Sequence, residues 1–357
     1  MTRTVLHLSK FYLPRLGGIE TAVRNIVENH INDLEHVVLT NSKISKNHQI
    51  GGVKVIEKAS KILFSQPLSF GYIIWYILNY RRFDIIHLHL PNYVSLLLVF
   101  LFRPKKIIVH WHATIESVDK KKPYFLLNYL EKTVLKSSKK IIIGTEKYAK
   151  GSKTLDFYSD KHLYIQYGCE SQLVNAVSKE NILISVGRLV NYKGIIELVN
   201  NIIIPEDWVW YIIGDGPLKE NILDAIRKKN LEKKVQVISN VDNLELKSYF
   251  SRSKILLFPS LTTQESFGIT QIEALSVGTV ILNFNIPNSG VSEIVDEGKN
   301  GFSIELENYH VFNEKLKLIT SDEKLLFEMS NNALNSYNDN FTVEVYAEKI
   351  SKIYSEI

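Results

Sequence analysis

What most limits the folds open to this chain is a repeated rhythm: short Val/Ile/Leu-rich runs, each followed by a longer stretch with helical spacing. In the first half the runs are TVLHLS (Thr4–Ser9), HVVLT (His36–Thr40), DIIHLHL (Asp84–Leu90), KIIVHWH (Lys106–His112) and KIIIGT (Lys140–Thr145). In the second they are NILISVGR (Asn181–Arg188), WVWYIIGDG (Trp208–Gly216), KVQVIS (Lys234–Ser239), KILLFPS (Lys254–Ser260) and TVILNF (Thr279–Phe284). Near-continuous hydrophobicity marks strands buried on both faces of a parallel sheet. Alternation with helical segments such as IETAVRNIVENH implies βαβ units. Single cores stop growing at about 250–300 residues, so a 357-residue chain with two such series predicts two Rossmann-like α/β domains with a cleft between them. Their expected extents are 1–170 and 171–340, joined through the polar YGCESQLVNAVSKEN (Tyr167–Asn181). The longest apolar run, YVSLLLVFLF (Tyr93–Phe102), falls short of the roughly 20 residues that span a bilayer and reads as a buried helix.

Charge adds a second constraint. The net charge of +5 hides an asymmetry: residues 1–170 hold 25 Lys/Arg against 13 Asp/Glu, and the remainder 18 against 25. A basic first half predicts an anionic neighbour there: nucleic acid, a phosphorylated lipid or an anionic membrane surface. The clusters YRR (Tyr80–Arg82) and KKK (Lys120–Lys122) are the expected contacts. One cysteine, Cys169, excludes an intrachain disulfide, and no apolar signal core opens the chain, so a cytoplasmic location is expected.

Ligands of open α/β sheets sit outside the carboxyl ends of strands, so the loops there carry the chemistry. After the first strand, Gly17 and Gly18 open a helix and let a backbone N–H face an anion. His110 and His112 alternate about Trp111, so both point to one side, and His112 is placed to hydrogen-bond a substrate hydroxyl or share a proton. In SVGRLVNYKG, Arg188 and Lys193 converge on a loop bounded by Gly187 and Gly194, a combination suited to a diphosphate. In GDGP, Gly214, Gly216 and Pro217 make a sharp turn, with Asp215 expected to cap the next helix. In FPSLTTQESFGITQIEALSVGTVIL, Glu265 precedes a helix expected to begin near Phe267–Gly268 and Glu273 lies within it. The N–H groups of Phe267, Gly268 and Ile269 are then candidate diphosphate ligands, and the two carboxylates candidate holders of sugar hydroxyls.

Together these loops resemble glycosyltransferase family 4: Glu265 and Glu273 match its E-x7-E signature and SVGRLVNYKG its diphosphate loop. The resemblance implies a GT-B fold of two Rossmann-like domains whose parallel sheets face a cleft. It implies transfer of a hexose-type sugar from a UDP- or GDP-sugar with retention, with no metal and no cofactor. Arg188 and Lys193 would then bind the donor diphosphate, Glu273 the ribose hydroxyls and Glu265 the donor sugar. His112 would lie near the reaction centre, and Gly17 and Gly18 on the acceptor side. It further implies that the last segment, 341–357, crosses back onto the first domain. A glycan or lipid-linked acceptor in bacterial O-antigen or capsule synthesis, met at the inner face of the membrane, fits the basic half.

Two other classes fit part of the pattern. A nucleotide-sugar epimerase or a phosphorylase would use the same scaffold. A nucleic-acid binder would exploit the basic half, but Glu265 and Glu273 would repel phosphates, so no nucleic-acid partner is expected. A dinucleotide dehydrogenase is disfavoured because the first βα loop lacks G-x-G-x-x-G.

Overall fold

A computed structural model describes residues 3–15, 17–29, 34–63, 66–113, 124–174 and 178–357. The chain forms two compact units: Met1–Gly168 together with Val343–Ile357, and the continuous Cys169–Thr342. Each has an α/β core around its own sheet.

In the first unit the strands are β1 (Arg3–Leu8), β2 (Leu34–Ser42), β3 (Lys46–Ile50), β4 (Val53–Ala59), the small pair β5 (Lys61–Leu63) and β6 (Gln66–Leu68), β7 (Ile85–Leu90), β8 (Ile107–Trp111), β9 (Lys140–Ile143) and β10 (His162–Tyr164). Eight of them make one sheet, ordered β10-β9-β8-β7-β1-β2-β4-β3. All its pairings are parallel except β3 with β4, an antiparallel hairpin turning at Gly51–Gly52. That edge strand, KNHQI, has no apolar run, which is why hydrophobicity alone does not announce it. Its polar residues blunt an otherwise exposed sheet edge. The helix Tyr93–Phe102 forms as expected but is not fully buried: Leu97 and Leu101, one turn apart, face solvent.

The C-terminal helix Val343–Glu356 belongs to this first unit, and buries Tyr346, Ala347, Ile350, Ile353 and Tyr354. Arg3 donates to the Tyr354 carbonyl at 2.7 Å, and the Tyr354 hydroxyl lies 2.6 Å from His87 Nδ1 on β7.

In the second unit β11 (Glu180–Val186), β12 (Val209–Ile213), β13 (Val235–Ile238), β14 (Ser253–Phe258), β15 (Val280–Asn285) and β16 (Gly301–Glu305) form an all-parallel sheet. Its order is β13-β12-β11-β14-β15-β16. Connections wind outward in one direction from β11 and in the other from β14. The two central strands therefore diverge at their carboxyl ends, the switch point where doubly wound sheets open a crevice.

Replacing Tyr354 with Phe removes the hydroxyl that partners a fully buried imidazole. His87 then has no hydrogen-bond partner at either ring nitrogen among the described residues. The expected loss is about 1–3 kcal/mol, read as a lower urea midpoint at unchanged slope for the first unit.

Candidate functional site

The loop after β11 runs from Gly187 to Gly194, and that after β14 from Pro259 to Gly268. They flank the switch point and are tied together: Leu261 N–H donates to the Tyr192 carbonyl at 2.8 Å. The loops after the neighbouring strands join them. Leu189 N–H donates to the Asp215 carbonyl and Leu218 N–H to the Leu189 carbonyl. Gly214 (φ +154°) permits this closeness, because a Cβ there would collide with the Gly187 carbonyl. On the other flank Ser289 Oγ donates to the Glu265 carbonyl at 2.5 Å, and Gly290 N–H to the Ser266 carbonyl at 2.9 Å.

Lys193 and Glu265 form an ion pair, each side chain only 14% exposed. Ser260 Oγ lies 3.4 Å from the same carboxylate oxygen, and the Lys193 ammonium sits 5.1 Å from the centre of the Phe258 ring. Arg188 on the same loop is exposed and makes no ion pair or side-chain hydrogen bond among the described residues. Lys193 is thus fixed by its partner, whereas Arg188 is uncommitted.

The helix carrying Glu273 begins at Ile269, one residue beyond the expected start, with Gly268 before it in the left-handed region (φ +86°). A Cβ on Gly268 would press on the Phe258 ring and the Gln271 amide. Gln271 and Asn283 form a buried amide pair beneath this helix. Asn283 Nδ2 donates to Gln271 Oε1 at 2.6 Å, and both amides donate to the Val291 carbonyl. Glu273 is partly exposed, yet withdrawal from water pushes its carboxyl up to about 7, opposed by the positive charge of Lys193. Near neutral pH this carboxyl can therefore donate as well as accept. Asp215 does not cap the following helix, Lys219–Lys228. Leu218 stands at that N-cap, and Asp215 Oδ1 instead accepts from the N–H of Gly216, within its own turn.

In the first unit Gly17 is the N-cap of the helix Gly18–Glu28. Glu20 folds back against it, its carboxyl raised by burial against the pull of its own backbone N–H, Arg15 and Lys10. Burial, then Arg15, lowers the Lys10 ammonium. His110 and His112 do share one side of β8, their rings stacked at 4.1 Å. His112 is only 5% exposed, however, and its nitrogens face inward: Nε2 lies 3.0 Å from His89 Nδ1, and Nδ1 lies 2.8 Å from the Tyr167 hydroxyl. Both of its nitrogens are engaged within the first unit.

Sequence reading missed Ser260 and Ser289, which carry no motif, and the buried His7, His36, His87 and His89. The signal for His87 and His89 was present in HLHL, where period-two spacing puts both on one face of the sheet. Two triplets, His7/His87/His89 and His89/His110/His112, bring ring nitrogens within 4.8 Å of one another, close enough to raise the question of a metal.

The Glu273 shift fixes a pH dependence with a sign. A carboxyl raised above its unfolded value of 4.5 leaves the folded state holding more protons, so stability falls as pH rises from 4.5 to about 7 and levels off beyond. Glu273→Gln is expected to flatten this slope in urea titrations of the second unit between pH 4.5 and 7.5.

Residues 170–336 match the family model described as Glycosyl transferases group 1. The chain is 23% identical to the O-antigen chain mannosyltransferase C of Escherichia coli, over 99% of this chain and 98% of that one. It is 25% identical to an N-acetylgalactosamine-N,N'-diacetylbacillosaminyl-diphospho-undecaprenol 4-alpha-N-acetylgalactosaminyltransferase of Campylobacter jejuni, over 89% and 90%. The crystal structure of Anabaena Alr3699/HepE in complex with UDP superimposes with a TM-score of 0.73 over the whole of both chains, at 15% identity. The chain thus has the GT-B fold, two α/β units on mostly parallel sheets, and its second unit carries the Glycosyl transferases group 1 match.

Proposed function

We propose that this chain is a glycosyltransferase. It moves a hexose-type sugar from a UDP- or GDP-sugar to a lipid-linked or growing glycan acceptor in bacterial O-antigen or capsule synthesis. The observation that carries this reading is the gathering of Arg188, Lys193 and Glu265 on interlocked loops at the switch point of the second sheet, with Glu273 near enough to feel the charge of Lys193. The names of the relatives and the UDP held by the structural neighbour support the substrate class.

Departure of a nucleoside diphosphate builds negative charge on its β-phosphate. Arg188, exposed and unpaired, is the side chain free to meet that charge, and Lys193, held by Glu265, contributes a cation that need not reorganise. Glu273 offers a carboxyl to the ribose hydroxyls, and Glu265, steadied by Lys193 and Ser260, one to the donor sugar. The transfer is read as retaining, without metal or resident cofactor, the fixed cations taking the part a metal plays elsewhere. Gly17 and Gly18 are assigned to the acceptor side, and nucleic acid is not a partner.

An anionic membrane surface is the second partner of this proposal. On the helix Phe70–Asn79 the apolar Phe70, Ile74 and Leu78 recur every four residues and face solvent, Phe70 86% exposed and Leu78 70%. Arg81 and Arg82 follow directly, both exposed. Apolar side chains bordered by cations match the boundary between acyl chains and anionic headgroups. Lys120–Lys122 lie outside the described residues. No helix among the described residues is long and apolar enough to cross a membrane.

Incubation with a panel of UDP- and GDP-sugars and a lipid-linked acceptor should release nucleotide with one donor. Lys193→Ala and Glu273→Ala should each lower that rate by about 10²–10³, Glu273→Ala at an unchanged melting temperature and Lys193→Ala with a lowered one, because Glu265 is left without its partner. Full turnover in both variants would refute the assignment. For the membrane, Phe70→Asp with Leu78→Asp should abolish co-sedimentation with phosphatidylglycerol vesicles at low salt and leave donor affinity intact.

A further inference from the structure

Six histidines occupy one buried layer of the first unit: His36 on β2, His7 on β1, His87 and His89 on β7, and His110 and His112 at the end of β8. Four of them form an unbroken series. His36 Nδ1 lies 2.8 Å from His7 Nε2, His7 Nδ1 lies 3.1 Å from His89 Nε2, and His89 Nδ1 lies 3.0 Å from His112 Nε2. The series ends where His112 Nδ1 meets the Tyr167 hydroxyl at 2.8 Å.

The register explains its direction. His36 stands opposite Val5 but meets His7; His7 stands opposite His87 but meets His89; His89 stands opposite His110 but meets His112. Each link therefore advances two residues toward the carboxyl ends of the strands, and the series climbs diagonally across four of them. His87 and His110 stand opposite members of the series and lie off this diagonal. His110 has no hydrogen-bond partner at either ring nitrogen among the described residues. The ring centres in the series are 5.0, 5.4 and 5.3 Å apart. In every link this exceeds the N···N distance by about the width of one imidazole, so the rings meet nitrogen to nitrogen rather than face to face. A metal ion has no room on such a line, whereas a shared proton does.

We propose that His36, His7, His89, His112 and Tyr167 are a proton relay through the first sheet. Burial holds His89 and His112 neutral. A neutral imidazole carries one N–H, and each link needs one proton. All four rings must then be the same tautomer. With every Nε2 protonated, the Tyr167 oxygen takes up the incoming proton as its own hydroxyl proton passes to His112 Nδ1, which moves His112 Nε2–H to His89, His89 Nε2–H to His7 and His7 Nε2–H to His36, which releases its own. One proton enters, one leaves, and every ring ends protonated at Nδ1. His36, the last ring of the series, lines a cavity of about 630 Å³ that it shares with His48, Glu35 and Lys54, its Nε2 itself enclosed. The step such a relay serves is removal of the proton that an acceptor hydroxyl sheds on attack, and this assignment alone rests on the glycosyl-transfer reading above.

Long-range ¹H–¹⁵N correlation spectra of the full chain labelled in histidine, at pH 7, decide the relay without any activity. His7, His36, His89 and His112 are expected to be neutral and protonated at the same ring position; a mixed set, or one imidazolium, would overturn it. Zinc titrated into the same sample should leave these four resonances in place, and their displacement by one equivalent would replace the relay with a metal site. The role in turnover is tested by His89→Gln, which keeps a donor and an acceptor but cannot pass a proton on. The expected result is an unchanged melting temperature and donor KM, a kcat lower by about 10², and a proton inventory turned from curved to linear. Wild-type kcat and inventory in this variant would overturn proton conduction during turnover. A wild-type protein that turns over no nucleotide sugar would defeat the functional reading and leave the tautomer result standing.

Discussion

The ion pair between Lys193 and Glu265 is the contact that ties together the two central loops of the second unit. Each residue comes from one of the two loops that part company at the switch point of the sheet, so the pair holds those loops together at the place where the topology drives them apart. Both side chains are mostly shielded from water, which makes the attraction stronger than that of a surface pair and makes loss of either partner expensive. The hydrogen bond from Leu261 to Tyr192 and the grip of Ser289 on the Glu265 backbone add directional restraint. A carboxylate and an ammonium placed in this way need no rearrangement when a charged ligand arrives.

The second sheet was largely legible in the sequence because its strands are buried on both faces and therefore write themselves as unbroken apolar runs. Its glycines were legible too: Gly187 and Gly214 stand where strands give way to loops, and at Gly214 backbone must approach backbone. What stayed hidden follows from the same physics. The edge strand KNHQI has nothing to bury, so no periodicity reveals it. Gln271 and Asn283 look like surface residues in sequence, and only the fold shows that their amides satisfy one another beneath a helix. The partners of His112 stayed hidden because alternation gives the face of a strand on which a side chain lies, while the groups waiting there come from other segments.

The first unit takes an unusual course in filling its core. Most interiors of this size are closed with aliphatic side chains, yet this sheet places a layer of imidazoles, backed by Tyr346 and Tyr354, where leucines would pack. Polar atoms in such a place are tolerated when they pair, and the diagonal register lets four of the rings pair with one another. His110, with neither nitrogen engaged, shows the cost of filling the remainder of that layer with the same residue type.

The order in which the two units occur along the chain has a consequence for biosynthesis. The second unit is one continuous segment, whereas the first needs the final helix, Val343–Glu356, to cover its core. During synthesis the unit begun first is therefore completed after the second has been made, since its closing helix follows the second unit in the chain. Until then about 170 residues wait with an apolar face uncovered, and nascent chains of this protein are expected to lean on chaperones for longer than their early start would imply.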